Sequence, residues 1–558
     1  MSVEGAPDIR PIAVRRRGAA LRPAALVSTG LASPLLRLAA ALALLALTLL
    51  PRLAAREVFV TADEDNWLMR GANFRLALEA GDWPGTYQNG HPGVTTMWLV
   101  AAALDSESAR TIVDGAAQSE RQFQVLTGFP SFMEHLARAR LVFGLATALL
   151  LLVLLGVLAL HVGWWPAWLA TLLIGWDPFL LALSRAVHVD ALLTLCATIA
   201  LLAALAFWRG RAGWPLLALA AVSTALAVLS KSPGLALAGA IPALALWCWR
   251  GQRPRRSHGW LLASLAAWGG LTLLVGYAAW PALWRDPLGT SGRMLGFALT
   301  QGETPEGLSF FLGQAVVDPG PLFYPAALLL RATPVLCLGL VAAVWQRLRR
   351  PAADHTSGLG LPLLGWALLF LLLMSLGAKK MDRYLVPVVP ALYILATLGL
   401  LATARWLSTR SPWLGGAAVA AALALQLGGL IATQPYYSTF YNPLLGGAPV
   451  ARQVMTIGWG EGMDQVAAYL NSRPNAERLR VVAQNFDALR AQYVGRGEPL
   501  RDTTRARVEY LVLSVAGVQQ RKHAEAYERY LQGATLEFTA RIGGVDYAWV
   551  YRLPAPRP

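Results

Sequence analysis

Eleven apolar runs of about 20 residues follow one another along most of the chain, and no other feature limits its fold so strongly. A run of this length spans a bilayer as one helix, which satisfies its own backbone hydrogen bonds there. The runs lie at 32–51, 136–160, 165–184, 190–208, 214–230, 233–249, 259–280, 322–346, 360–377, 384–403 and 413–432. They predict a polytopic α-helical membrane protein with about eleven transmembrane helices.

The composition agrees with a membrane protein. Hydrophobic residues make up 56% of the 558 residues and charged residues only 14%, whereas soluble domains carry about 25% charged residues. The formal net charge is nevertheless +16, which in a soluble protein would suggest nucleic-acid binding. Most of the net positive charge comes from the tail 1–31 and the Arg clusters at 209–211, 250–256, 347–350 and 405–410, so no nucleic-acid partner is predicted. The three cysteines lie in apolar stretches and form neither a disulfide framework nor a CxxC motif.

The arginines predict the orientation of the helices. If the basic tail 1–31 is cytoplasmic, the inner connections hold the Arg clusters at 209–211, 250–256, 347–350 and 405–410. This arrangement obeys the positive-inside rule. We therefore expect a multi-pass protein of the inner (plasma) membrane, with its N-terminus cytoplasmic. Segment 93–104 is too short to cross the bilayer and would invert the loops, so it is predicted to be an interfacial or re-entrant helix in a first outer loop, 52–135.

The chain changes character after the last apolar run. Residues 32–432 are predicted to be one transmembrane domain, and residues 433–558, with ordinary charge content, a small extracytoplasmic α/β domain. Strands are expected at 479–484 and 508–514, and an amphipathic helix at 519–531. A hairpin around Gly543-Gly544 is expected to join strands at 536–542 and 546–553.

Carboxylates from two outer loops are expected to meet at the same membrane face. Asp63, Glu64 and Asp65 follow the first span, and Asp190 ends a very short loop that also holds Arg185 and His188. Clustered carboxylates can act as a general base or bind a divalent cation. The alternative is that these groups only cap the helices that follow and that Arg185 snorkels.

Positive charge at the outer face is unusual and therefore informative. Five cations are expected there, namely Lys231, Arg331, Lys379, Lys380 and Arg383. Ionisable residues in a membrane helix point to function, and cations beside carboxylates suit an anionic lipid headgroup such as a polyprenyl phosphate. The alternative is snorkelling and ion pairing with Asp382 or Glu303. Asp177, before Pro178, is interpreted as a helix-break partner, and His91 as a turn residue, a metal ligand or an acceptor-binding group.

In this order, the motifs resemble the GT-C membrane glycosyltransferases, and most of all glycosyltransferase family 39, which includes protein O-mannosyltransferases and aminoarabinose transferases. The matching features are Asp63-Glu64, His91-Pro92, Arg138 or Arg140, Ser184-Arg185 with Asp190, Lys231, the run Lys380…Tyr384…Pro387…Pro390, and Tyr437…Gly447 followed by Gly458–Gly462. The resemblance covers roughly 55–470. It differs at Gly93, where the family often has a second proline.

The resemblance implies an inverting transfer of a sugar from a polyprenyl-phosphate-linked donor to an acceptor hydroxyl. Asp63 would be the general base, and Glu64 and Asp190 would orient the acceptor or hold a divalent cation, the one cofactor considered. The leaving phosphate would be stabilised by cations and a phenol, namely Lys231, Arg331, Lys379, Lys380 and Tyr384. The acceptor would be oriented by His91, Arg138 and Arg185. The sugar is left open, as is the acceptor, which is a protein, lipid or glycan.

Two other classes of function stay open at this point. A flippase or transporter would place charge near the midplane and often shows inverted repeats; here the ionisable residues gather at one face. A non-catalytic polyprenyl-phosphate-binding protein would tolerate the loss of Asp63, whereas a glycosyltransferase would not.

Overall fold

The computed structural model describes residues 33–122, 132–252, 256–300, 307–349, 358–504 and 508–554. The basic tail predicted at 1–31 lies outside these ranges. The first helices are α1 (Pro34–Leu53), α2 (Glu64–Ala80), α3 (Val94–Ala103) and α4 (Ser106–Gln122). Segment 93–104, predicted to be an interfacial or re-entrant helix, contains the ten-residue helix α3.

Most of the chain that follows is helical. The helices are α5 (Phe132–Val162), α6 (Trp164–Gly175), α7 (Pro178–Arg185), α8 (Asp190–Trp208), α9 (Trp214–Ser230), α10 (Leu237–Gly251), α11 (His258–Ala279), α12 (Ala282–Arg285), α13 (Pro287–Thr300), α14 (Phe323–Arg331), α15 (Pro334–Arg349), α16 (Gly360–Leu376), α17 (Val389–Ser408) and α18 (Pro412–Thr433). A hairpin of β1 (Ser309–Phe311) and β2 (Gln314–Val316) lies before α14. Short 3-10 segments at Ser232–Ala236 and Asp382–Val388 lead into α10 and α17.

Each of the eleven apolar runs is helical, and the structure refines their number as membrane spans. Within the described residues, seven helices are long and apolar enough to cross a membrane, or nine if two sharply bent pairs each count as one span. The remaining two runs form α9 and α16, which are apolar but have 17 residues each. Many crossings are thus supported, and the count of eleven stays a prediction.

Two of the predicted spans, 165–184 and 322–346, are broken into two helices each. The chain bends by 68° between helices α6 and α7 and by 108° between α14 and α15. Both second helices begin at a proline, Pro178 and Pro334, which cannot continue a preceding helix without losing a hydrogen bond. Arg331 therefore ends α14 at a bend, whereas the sequence placed it inside a continuous helix.

One buried polar network joins the two breaks. The Tyr393 hydroxyl of α17 donates to Asp177 Oδ2 at 2.9 Å and lies 2.8 Å from the Thr333 hydroxyl. Gln426 Nε2 of α18 donates to the Trp176 carbonyl at 3.0 Å and to the Tyr393 hydroxyl at 3.1 Å. Asp177 also accepts from the Leu180 amide as the N-cap of α7. The prediction of Asp177 as a helix-break partner is confirmed.

The centre of the helical region is α8, all of whose residues from Asp190 to Trp208 are buried. It packs against α5, α9 and α10, and its apolar side chains belong to the largest hydrophobic cluster. A helix that is apolar on all sides is expected to be buried on all sides. Its first residue, Asp190, is therefore held firmly at the end of the 185–189 loop.

The C-terminal region is a small α/β domain, as predicted. Its helices are α19 (Gly447–Val454), α20 (Met463–Asn471), α21 (Phe486–Arg490), α22 (Val515–Gln519) and α23 (Ala524–Leu531). Its strands are β3 (Arg480–Ala483), β4 (Arg496–Pro499), β5 (Tyr510–Ser514), β6 (Thr535–Ile542) and β7 (Val545–Arg552). They form one sheet in the order β4-β3-β5-β7-β6, in which β3 is parallel to β4 and β5 and the other pairs are antiparallel.

The predicted strands and the Gly543-Gly544 hairpin are present, with one difference nearby. The helix predicted at 519–531 is divided into α22 and α23 by a turn at 520–523. Arg521 and His523 have positive φ in this turn, a backbone state that interrupts a right-handed helix.

Candidate active site

A cavity of about 290 Å³ lies between one end of the helical region and the C-terminal domain. Its charged lining comprises Asp63, Arg331, Lys379, Lys380, Asp382, Arg383, Glu461 and Lys522. The C-terminal domain also contributes Trp459, Asn485 and Gln520. Asn485 and Ala516 follow β3 and β5, so the carboxyl end of this parallel pair faces the cavity, which is where open α/β sheets bind ligands.

Of the three carboxylates that line the cavity in the described part of the chain, Asp63 is the most exposed. It precedes the first residue of α2, and a third of its side chain is accessible. Its Oδ2 lies 2.9 Å from Arg383 Nη1 and 3.5 Å from His188 Nε2. Burial favours the neutral acid, but Arg383, His188 and Lys231 outweigh it and hold the pKa of Asp63 well below its usual range. Asp63 is therefore ionised and available to accept a proton.

Behind Asp63, a chain of charged groups leads inward. His188 Nδ1 lies 3.2 Å from Asp190 Oδ2, so the imidazole bridges Asp63 and Asp190. Asp190 Oδ1 accepts a hydrogen bond from Lys231 Nζ at 2.7 Å. The Lys231 ammonium also lies 4.2 Å above the Tyr384 ring. The structure thus brings together Asp63, Asp190, Lys231 and Tyr384, which the sequence assigned to the site from four separate segments.

His91 lies beside this chain. Its Nδ1 is 3.1 Å from the Ser232 hydroxyl, one residue after Lys231, and its ring packs edge-on against Phe297. The Gly93 amide donates to the Ser230 carbonyl, which fixes the His-Pro-Gly turn on the 230–234 turn. Burial and the nearby Lys231 ammonium lower the pKa of His91 to about 3, so its imidazole is neutral at physiological pH.

Glu64 is fully buried and faces away from the cavity. Its two oxygens accept hydrogen bonds from Arg140 Nε at 2.8 Å, from Arg140 Nη2 at 2.5 Å, and from the Thr61 and Val187 amides at 3.0 Å each. These donors hold the pKa of Glu64 below its usual range despite burial. Glu64 therefore joins three segments, the start of α2, α5 and the 185–189 loop.

Arg331 also has its hydrogen-bonding groups engaged by protein. Its five N–H groups donate to Asp382 twice, to the Tyr441 hydroxyl, and to the Ser438 and Phe440 carbonyls, at 2.5–3.0 Å. Its guanidinium stacks 4.0 Å from the Tyr441 ring. Arg331 lines the cavity, but this geometry suits a group that fixes Asp382 and the segment containing Arg383.

The remaining predicted site residues occupy three different settings. Lys380 is buried and donates to Asp318 Oδ1 at 2.7 Å and to the Gly377 carbonyl at 2.6 Å, while Lys379 lines the cavity. Arg185 donates to the Pro435 and Ala55 carbonyls. Arg138 is half exposed and pairs with Glu134 on its own helix. The sequence left open whether Arg138 or Arg140 matches the family motif. In the structure it is Arg140 that contacts a predicted site residue, Glu64.

The three carboxylates considered as ligands of a divalent cation are each paired with a protein cation: Asp63 with Arg383, Glu64 with Arg140, and Asp190 with Lys231. Among the residues that the structure describes, no group of three or more His, Cys, Asp or Glu side chains is arranged to hold a metal. The divalent-cation hypothesis therefore finds no such site in the described part of the chain.

Three residues near Asp63 were not predicted to surround it. Arg383 was expected among the cations that suit an anionic lipid headgroup, and His188 in the loop that leads to Asp190. The sequence did not indicate that either side chain contacts Asp63. Trp459 belongs to the C-terminal domain, and its ring lies 5.1 Å from the His188 ring and 4.9 Å from the Arg383 guanidinium. Its one sequence signal was the glycine-rich segment 458–462.

Part of the chain matches a known protein family. The family model for dolichyl-phosphate-mannose-protein mannosyltransferase matches residues 122–279. These residues contain Arg140, His188, Asp190 and Lys231. The match confirms the resemblance to glycosyltransferase family 39 over these residues. No curated protein sequence matches the chain.

Two solved structures share the fold. ArnT from Cupriavidus metallidurans, in the crystal structure bound to undecaprenyl phosphate, matches with a TM-score of 0.51 and 14% identity, over 94% of this chain and 98% of that one. The apo structure of the same protein matches with a TM-score of 0.51 and 14% identity, over 93% and 97%. The fold is therefore GT-C-like over nearly the whole chain.

Proposed function

We propose that this protein is an inverting glycosyltransferase that moves a sugar from a polyprenyl-phosphate-linked donor to an acceptor hydroxyl at the outer face of the plasma membrane. The observation that carries the proposal is the Asp63 carboxylate, ionised and open to a cavity whose wall also holds Arg383 and Lys379. The match to the mannosyltransferase family model and the likeness to ArnT, which binds undecaprenyl phosphate, support the same reaction class.

The proposed orientation has eleven spans, a cytoplasmic N-terminus and the domain 433–558 outside. The Arg clusters of the inner connections support it through the positive-inside rule. In this orientation the cavity lies at the outer membrane surface. A donor phosphate can enter it at headgroup depth while its polyprenyl chain stays in the bilayer.

Asp63 is assigned as the general base. The acceptor oxygen attacks the anomeric carbon of the donor sugar as its proton passes to Asp63, and the bond between that carbon and the phosphate oxygen breaks. The transition state has oxocarbenium character, as in other glycosyl chemistry. The lipid phosphate leaves as an anion and needs no proton, so one carboxylate suffices for proton transfer.

Arg383 and Lys379 are assigned to the leaving phosphate, with Lys231 and Tyr384 behind them. Cations fixed where negative charge develops stabilise a transition state strongly. Arg383 has a second role, because it also contacts Asp63. A phosphate that attracts its guanidinium weakens the ion pair and raises the proton affinity of Asp63, so donor binding prepares the base.

Glu64, Arg331, Lys380 and Arg185 are assigned positioning roles, because their polar groups already bind protein. Glu64 with Arg140 sets the backbone of the segment that carries Asp63. The acceptor, a protein, lipid or glycan, is proposed to approach along the wall formed by Asn485, Gln520 and Lys522, where the C-terminal domain faces the cavity.

The test uses purified protein, undecaprenyl-phosphate mannose carrying a radiolabel in the sugar, and membranes of a deletion strain as acceptor. A parallel series of undecaprenyl-phosphate sugars covers other donors. The wild type should transfer label from at least one donor, and Asp63→Asn should lower the rate by about 100- to 10,000-fold. Asp82→Asn, an exposed carboxylate of the same outer loop, is the control and should keep wild-type activity.

Binding of undecaprenyl phosphate alone, measured on the same variants, separates the alternatives. Asp63→Asn should bind it about as well as the wild type. A wild-type protein that binds the lipid but transfers none of the sugars would favour a non-catalytic carrier-binding protein. Movement of the lipid across vesicle membranes without transfer would favour a flippase.

A further inference from the structure

The segment Gly458–Gly462 has a backbone that only glycine adopts readily. Gly458, Gly460 and Gly462 have φ of +88°, +115° and +86°, in the region that a Cβ disfavours. Between them the loop presents one indole, Trp459, and one buried carboxylate, Glu461. Because glycine adopts this conformation without strain, the loop can turn closely against its surroundings. These surroundings include the segment that carries Asp63.

The loop lies directly on that segment. The Ala62 amide, next to Asp63, donates to the Trp459 carbonyl at 3.0 Å. Gly460 is so close to the Val60 carbonyl that an added Cβ would collide with it. The main chain on the N-terminal side of the proposed base is thus fixed by residues from the other end of the protein.

The Trp459 side chain contacts His188 and Arg383, two side chains that contact Asp63. Its ring meets His188 edge-to-face at 5.1 Å and lies 4.9 Å from the Arg383 guanidinium. Contacts of this kind orient a guanidinium or imidazole without using the hydrogen-bonding groups needed for a substrate. The indole therefore packs against both side chains that contact Asp63 Oδ2.

Glu461 anchors the loop through both of its carboxylate oxygens. One oxygen accepts from the Ser438 hydroxyl and the other from the Trp459 amide. The Ser438 carbonyl accepts from Arg331 Nη1 at 2.6 Å. The loop is thereby tied to the Arg331–Asp382 cluster, which in turn fixes the residue next to Arg383.

We propose that the Gly458–Gly462 loop is a positioning element for the catalytic base, through which docking of the C-terminal domain sets the geometry of Asp63, His188 and Arg383. The inference rests on the proposed glycosyltransferase function. It makes the C-terminal domain a structural part of the catalytic centre.

Gly460→Ala tests the proposal, with Gly544→Ala as the matched control. Both glycines have positive φ, but nothing lies within 4 Å of a Cβ at Gly544 in its hairpin. Both variants therefore carry the conformational cost of alanine, and only Gly460→Ala displaces the segment before Asp63. A shift of about 1 Å in a reacting group can cost about 100-fold in rate. We expect a loss of that order in kcat for Gly460→Ala, with KM for the donor nearly unchanged, and wild-type kinetics for Gly544→Ala.

Trp459→Phe and Trp459→Ala form a second pair that does not strain the backbone. Phe keeps an aromatic ring beside Arg383 and His188, so it should retain more of the kcat than Ala does. Affinity for undecaprenyl phosphate and the thermal unfolding temperature are measured on all four variants, so that loss of folding is recognised. Equal kcat for Trp459→Ala, Trp459→Phe and the wild type, with Gly460→Ala like its control, would overturn the proposal while the wild-type transfer assay still supports the function.

Discussion

The Arg383 guanidinium lies 2.9 Å from the Asp63 carboxylate and 3.8 Å from Asp190, so one cation pairs with two carboxylates from separate segments of the chain. Arg383 is also the cation whose removal should change both the charge state of the base and the binding of the donor.

Arg383→Gln should move the acidic limb of the pH–rate profile. In the wild type, Arg383 helps to keep the pKa of Asp63 below its usual range, so Asp63 stays ionised across the pH range of activity. Without the guanidinium this pKa rises, and activity should fall at a higher pH as the pH is lowered. The rate at neutral pH should fall by about 100-fold through loss of phosphate stabilisation.

The measurement is kcat/KM from about pH 4.5 to about pH 8.5, a range in which Asp63 of the wild type stays ionised and Arg383→Gln should show a new acidic limb. Arg138→Gln is the control, because Arg138 is half exposed and pairs with Glu134 on its own helix. The same flat profile in Arg383→Gln and the wild type at acidic pH would contradict the assigned link between Arg383 and Asp63.

The Glu64–Arg140 pair should matter for stability. Removal of one partner leaves a charge buried without compensation, which costs about 3–5 kcal/mol. Arg140→Met should therefore lower the thermal unfolding temperature and the yield of folded protein. Arg138→Met, two residues earlier on the same helix, should change the free energy of unfolding by less than about 1 kcal/mol. Unchanged unfolding of Arg140→Met, combined with lost transfer, would instead indicate direct contact with substrate.

We expect that the lysine of Arg331→Lys cannot substitute for the hydrogen bonds that arginine donates at this position. Lysine offers three donors around a point charge, whereas Arg331 uses five N–H groups in a planar arrangement. We expect a lower unfolding temperature and a lower kcat, with KM for the donor changed less than kcat. A selective rise in KM with normal stability would return Arg331 to the phosphate-binding role that the sequence resemblance implied.

His91 should contribute to the pH dependence of stability. Its pKa is about 3 in the folded protein against an ordinary value of 6.5, so below pH 6.5 the unfolded chain binds a proton that the folded protein does not. Stability is therefore complete above pH 6.5 and falls as the pH is lowered. Between about pH 7.5 and about pH 5 the loss from His91 is up to about 2 kcal/mol.

Thermal unfolding of the wild type and His91→Gln at these two pH values measures this effect. The glutamine variant, which does not titrate there, should lose less stability on acidification. Equal losses in the two proteins would show that His91 is already protonated, or equally free to protonate, in the folded state.

The sequence predicted the helical segments because bilayer thickness fixes the length of each apolar run, and it predicted that Asp63, Asp190 and Lys231 share one face. It could not choose between Arg138 and Arg140. Residues two apart on a helix point about 200° away from each other, and the apolar pattern of α5 does not reveal which side faces Glu64. The fold makes Arg140 the buried partner.

Other contacts are made by segments whose sequence shows no helical or strand periodicity. Arg383 and Lys380 lie in a short connection before α17, where no helical or strand repeat indicates which side chain enters the cavity. The contact between Trp459 and His188 joins residues far apart in the sequence, and only docking of the C-terminal domain brings them together. The helix breaks were more accessible to prediction, because Pro178 and Pro334 mark both bends.

The loop Gly458–Gly462 also determines when, during synthesis of the chain, the site around Asp63 can assemble. The ribosome delivers Asp63 early, whereas the loop that fixes it emerges only after the last apolar helix. On the proposed mechanism, a nascent chain whose helices have already entered the bilayer holds an unassembled base. Catalysis then begins only once the final segment has folded against the helical region, so a partly synthesised chain does not use the lipid-linked donor.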